Sequence, residues 1–148
     1  MVEGASGRAD EEKMNTKDEL LKDFEFNSPV SETALADFES KQAINLPLSY
    51  RGFLLKGNGG EGPVGEFGYA NFWKIEEIAD LNKAYKIEEY LPGYLVIGSD
   101  GGGEAFAIRM GTELAQFVQV PFVGLSEEDC VLLGASFDEL LENLSKKQ

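Results

Sequence analysis

The sequence predicts an α+β domain with a central, largely antiparallel (mixed) sheet flanked by helices. Three observations point there. Helical spacing of apolar residues dominates the first third of the chain. Short glycine-punctuated stretches rich in aromatic and β-branched residues cluster in the middle. A capped amphipathic segment closes the chain. With 148 residues, 43 % of them hydrophobic and 11 % aromatic, there is material for one core and little beyond it.

Residues 1–15 are small, polar and charged, with Val2 the one sizeable apolar side chain before Lys13, and are expected to form a disordered tail. The domain is expected over 16–148. Thr16 and Glu19 have the spacing of a capping box, followed by Leu20, Leu21 and Phe24 on one helical face. Asn27, Ser28 and Pro29 break that helix. Ser31 is placed to cap the next, whose apolar stripe is Ala34, Leu35 and Phe38. Pro47 suits the first turn of a short helix carrying Tyr50, Phe53 and Leu54 on one side. Asn58, Gly59 and Gly60 are expected to end it, because these residues tolerate the left-handed backbone of a C-cap.

From Val64 to Lys74 one or two short strands are expected. Ile75, Ile78, Leu81 and Tyr85 then mark an amphipathic helix, with Pro92-Gly93 as its stop. Tyr94 to Ile97 and Glu104 to Arg109 read as strands joined by a glycine-rich hairpin. Phe117 to Val123 is a further strand, where Pro121 signals an edge or a bulge. The final helix is the clearest element: Ser136 and Glu139 form a capping box, and Phe137, Leu140, Leu141 and Leu144 share one face.

Charge and composition exclude several functions. Asp and Glu total 27 against 13 Lys and Arg, a net charge of -14 and a pI near 4.3. Such a chain is not expected to bind nucleic acid or anionic membrane directly. There is no His, which removes the commonest general base and the Ser-His and Cys-His pairs. The single Cys, Cys130, excludes an internal disulfide and a Cys-rich zinc site. No metal or cofactor is expected. No apolar signal region or membrane span stands out, so a soluble cytoplasmic protein is expected.

The glycine-rich stretch Gly98 to Glu104 resembles a phosphate cradle at first sight. No Lys-Ser/Thr follows it, and Asp100 and Glu104 would repel phosphate. Gly98, Gly101, Gly102 and Gly103 are better read as a hairpin that needs positive φ at several positions. Glu61, Glu66, Asp100 and Glu104 lie in or beside glycine loops. An acid/base pair or a hard-cation site is conceivable there, but contact with a basic partner fits these exposed carboxylates better. Trp73 suits a core position at a strand-to-helix junction, or else an aromatic anchor for a partner. Cys130, beside Glu127, Glu128 and Asp129, reads as a partly buried small hydrophobe.

The order of these pieces resembles a known family. They are a capped helix with Glu39, Leu46-Pro47-x-x-Tyr50-x-x-Phe53-Leu54, and Asn58-Gly59-Gly60. Trp73, Ile75-Glu76-Glu77-Ile78, the stretch Ile97 to Phe106, and Ala135-Ser136-Phe137-x-Glu139-Leu140-Leu141 follow. From about Ser31 to Leu144 the chain looks like the SUKH superfamily, the Smi/Knr-like domains. That resemblance implies an α+β binding module rather than an enzyme. It implies an immunity protein that neutralises a nuclease or deaminase toxin domain, with a protein, not nucleic acid, as partner. The alternatives are a regulatory hub of cell-wall or signalling type and, less favoured, a small carboxylate-dependent hydrolase. The family's glycines and Trp are implied to be fold signatures, and the leader to Lys13 has no counterpart in the pattern.

Overall fold

A computed structural model describes residues 18–146. The expected tail and the cap at Thr16 lie outside the described residues. After a helical turn at 18–20, strand β1 (Glu25–Phe26) precedes two helices, α1 (Glu32–Gln42) and α2 (Leu48–Lys56). The hairpin β2 (Gly60–Val64) and β3 (Gly68–Phe72) follows, then α3 (Ile75–Ala84) and α4 (Ile87–Tyr90). Strands β4 (Tyr94–Ser99), β5 (Glu104–Arg109) and β6 (Gln116–Pro121) come next. A 3-10 turn (Glu127–Asp129), β7 (Val131–Gly134) and α5 (Phe137–Leu144) complete the fold.

Among the described residues seven strands lie in chain order, β1 to β7, and every neighbouring pair is antiparallel. The expected class is therefore observed: one α+β domain with helices near both ends of the chain. Neighbours in sequence pair in space, which keeps loop-closure costs low.

Local sequence explains most elements. Ser31 Oγ accepts from Ala34 N at 3.1 Å and starts α1. Ala43, with φ 56°, stops it. Glu39 then holds the next connection: its Oε2 accepts from Leu46 N at 2.7 Å and its Oε1 from Arg51 Nε at 3.0 Å. Pro47 is the N-cap of α2, one residue before its first turn. Ser136 Oγ accepts from Glu139 N at 3.1 Å at the head of α5. Phe137, Leu140, Leu141 and Leu144 are all buried.

Aromatic rings carry the core. Phe137 sits 4.5 Å from Phe53 and 5.0 Å from Phe72, centroid to centroid, and Phe72 is 5.9 Å from Phe106. The last helix thus closes on α2, β3 and the middle of the sheet. Ser49 Oγ also accepts from Phe137 N at 2.9 Å, joining α2 to α5. Ala105, Phe106, Ala107 and Ile108 are buried in succession, so β5 is covered on both faces.

Four expectations change. α2 ends on Gly57 in an extended conformation, not on a left-handed Asn58-Gly59-Gly60 cap. Leu21 and Phe24 are buried, but in a turn after residue 20 rather than in a continuing helix. The helix after Trp73 ends at Ala84, well before Pro92, because Lys86 adopts a left-handed φ of 56° and restarts the chain as α4. β6 is an interior strand between β5 and β7, and Pro121 is simply its last residue. Strands β1 and β7 have no counterpart in the sequence reading.

Candidate functional site

Two of the four candidate carboxylates, Asp100 and Glu104, lie at the β4–β5 loop and are half-buried. Asp100 N donates to Glu104 O at 3.0 Å, and Asp100 Oδ1 accepts from Gly102 N at 2.8 Å and Glu104 N at 3.1 Å. The Asp100 carboxylate is thus engaged in shaping its own turn. Only Gly101 of this loop has positive φ, at 83°, so the expectation of several such positions is corrected. Gly98 belongs to β4 and serves a different need: a Cβ there would stand 2.4 Å from Asn71 O on β3.

Two aromatic contacts flank the loop. On one side Gly101 packs toward Tyr69, where a Cβ would come within 3.2 Å of the ring. Tyr69 OH donates to Glu61 Oε2 at 2.7 Å, and this hydrogen bond raises the Tyr69 pKa. Glu61 stands directly opposite Glu25 across β1 and β2, and both are exposed. On the other side Phe122 N donates to Gly103 O at 2.9 Å. The Phe122 ring stacks on Tyr85 at 4.7 Å, and Tyr85 lies nearly parallel to Trp73 at 6.3 Å.

The loop therefore links Glu61, Asp100 and Glu104, and Glu104 Oε1 accepts from Gln119 Nε2 at 3.3 Å. Glu66 is exposed in the β2–β3 turn and takes no part in these contacts. Trp73 is 9 % exposed and belongs to the core, so the surface-anchor reading is withdrawn. The accessible ring of that stack is Tyr85, 42 % exposed. In sequence it continues the apolar spacing of Ile75, Ile78 and Leu81, which hid it as a surface residue; it is the C-cap of α3.

Asn58 does not end α2 but serves the start of α3. It is 7 % exposed; its Oδ1 accepts from Ile75 N at 2.8 Å and its Nδ2 donates to Glu76 Oε1 at 2.6 Å. Its backbone N donates to Ser28 O at 3.1 Å. One side chain thus satisfies the start of α3 from the end of α2. Gly59 and Gly60 leave room for the backbone: a Cβ would meet Phe72 O and Glu25 O, each at 2.3 Å. Beside Asn58 an open cleft of about 860 Å³ runs between α1 and the start of α3, lined by Val30, Phe38, Lys41, Lys74 and Ile75 among others.

Other chemistry is sparse. Cys130 is half-buried, and burial followed by the charges of Glu127 and Asp129 pushes its thiol pKa up despite a contact with Tyr94. Burial likewise pushes Tyr94 up to about 12. Among the described residues no cluster of three or more Cys, Asp or Glu is placed to hold a metal ion. No helix among them is long and apolar enough to cross a membrane.

No curated protein matches the chain. The family described as SMI1 / KNR4 (SUKH-1) does match, over residues 29–143. That span runs from the break before α1 to within the last turn of α5, and it includes the Glu39 connection, the Asn58-Gly59-Gly60 junction, the β4–β5 loop and the capped closing helix. The chain belongs to the SMI1 / KNR4 (SUKH-1) family.

Proposed function

We propose that the protein is a non-catalytic, immunity-type binding module. Its acidic surface docks on the basic, nucleic-acid-binding face of a toxin domain of nuclease or deaminase type and blocks substrate entry. The family match supports a module of this kind. The observation that carries the acidic-docking reading is the Glu25–Glu61 pair. Like charges directly opposite on neighbouring strands repel, and a cation from a partner relieves that repulsion. Asp100 and Glu104 lie in the β4–β5 loop, which packs toward the Glu61-bonded Tyr69, with Tyr85 as an accessible aromatic contact. An acidic surface of this kind repels nucleic acid itself, so the partner is a protein.

Two experiments test this. Mass spectrometry of proteins copurifying from the native cell should return one basic toxin domain; several unrelated, non-toxic partners would favour a regulatory hub. Stopped-flow mixing with that toxin should give an association rate above the ~10⁵–10⁷ M⁻¹s⁻¹ of ordinary docking, falling as salt rises. A rate indifferent to salt would leave the acidity as a solubility device.

A further inference from the structure

We propose that the outer edge of β7 receives an extended, basic segment of the partner as an eighth strand. The inference rests on the protein-binding reading above and adds a second contact, at the edge of the sheet opposite Glu25 and Glu61, with the kind of segment it takes. Among the described residues β7 is the last strand in the sheet order and pairs on one side only, with β6. Val131 is 58 % exposed and Leu132 62 %. Neighbouring strand residues point to opposite faces, so the two side chains offer apolar contact on both sides of the sheet.

Exposed edges are commonly guarded by Lys, Pro or a covering element. The sequence of β7, Val-Leu-Leu-Gly, holds no charge and no Pro. Its guards lie at one end, a bulge and the closing helix α5. Val118 pairs with Leu132 and Phe117 with Gly134, which leaves Leu133 between them, and Asn143 Nδ2 donates to Leu133 O. The usable edge is therefore Val131–Leu132, since the Cys130 N–H before it already donates to Glu127 O. That length suits a short added segment and not open-ended stacking of sheets.

Charge selects the occupant. Glu127, Glu128 and Asp129 are exposed and lead directly into β7 through the 3-10 turn. Between Arg109 and Lys146 the chain has seven acidic residues and no Lys or Arg. A second copy of this chain would bring another net charge of -14 against that edge, which disfavours a homodimer. A segment alternating cationic and apolar residues satisfies both features. Its backbone pairs with β7, its apolar side chains share one face of the sheet with Val131 or Leu132, and its cations, on the other face, reach the acidic turn.

The test uses the full chain and three synthetic octapeptides: alternating Lys-Val, alternating Glu-Val, and the Lys-Val peptide N-methylated at alternate amides. Lys-Val should bind and slow amide exchange at the one of Val131 and Leu132 whose N–H points away from β6. The other two peptides, and the chain carrying Leu132→Lys, should bind at least about tenfold more weakly. Protection on the β2–β3 hairpin instead, indifference to N-methylation, or no Lys-Val binding would overturn the proposal. So would a dimer through β7 seen by sedimentation without peptide. If Leu132→Lys leaves salt-dependent association with the cognate toxin intact, the edge proposal falls while the immunity reading stands.

Discussion

The side-chain amide of Asn82 pairs with the backbone of Val96 in both directions. Val96 N donates to Asn82 Oδ1 at 2.8 Å, and Asn82 Nδ2 donates to Val96 O at 2.8 Å. β3 and β4 pair only at Asn71–Ser99 and Phe72–Gly98, so the first half of β4 has no strand beside it on that side. Asn82, on α3, supplies the missing peptide-like partner, and Nδ2 also donates to Ile78 O at 2.8 Å within its own helix. Asn82→Ala leaves the buried Val96 N–H and C=O without these partners. It should cost about 2 kcal/mol, read from the urea denaturation midpoint. An unchanged midpoint would mean that water replaces the amide at no cost.

Tyr50 is fully buried, and its hydroxyl has no hydrogen-bond partner among the described residues. Tyr50→Phe removes that hydroxyl and keeps the ring beside Phe137, so stability at neutral pH should rise by about 1 kcal/mol. Burial also holds the phenol pKa far above its ordinary value of 10.0. The neutral form is the one the fold accepts. Its contribution is complete below pH 10 and declines as pH rises above it, by roughly 1.4 kcal/mol per pH unit. Wild type should therefore lose stability faster than Tyr50→Phe above pH 10, in denaturation curves recorded from pH 8 to 11. Parallel curves would show that Tyr50 does not govern the alkaline limb.

The glycines of the β4–β5 hairpin should not be equivalent. Gly98→Ala places a methyl against the β3 backbone and should cost about 2–4 kcal/mol. Gly101→Ala strains a left-handed position and should cost about 1 kcal/mol. Gly103 has open space around it, so Gly103→Ala should stay within about 0.5 kcal/mol of wild type. Thermal melts of the three variants give the order directly; equal losses would contradict it.

Glu25→Lys replaces the repulsion across β1 and β2 with attraction to Glu61. The denaturation midpoint should rise while association with the basic partner slows. Glu61→Lys should also slow association, with dissociation changing less, since exposed charges act chiefly on the encounter. Surface plasmon resonance at two salt concentrations separates the rates. Faster binding by either variant would remove this face from the docking surface.

Local sequence determined the elements whose signals lie within a few residues: the Ser31 and Ser136 caps, the apolar faces of α2 and α5, and the strands on either side of the glycine loop. It also determined the acidity and the absence of a His-based site. Tertiary structure decided the rest. β1 and β7 are too short to carry a periodic signal and exist because β2 and β6 offer them edges. Asn58 looks like a cap in sequence, yet its amide satisfies Ile75, seventeen residues away. Trp73 and Tyr85 lie on one aromatic stack, but burial against the core makes the first structural and leaves the second accessible. Asn82, polar on an amphipathic helix, gave no sign that it completes a sheet. Caps and apolar faces are set by neighbours three or four residues away, whereas burial, edge pairing and side-chain-to-backbone bonds depend on which distant segment the folded chain brings alongside.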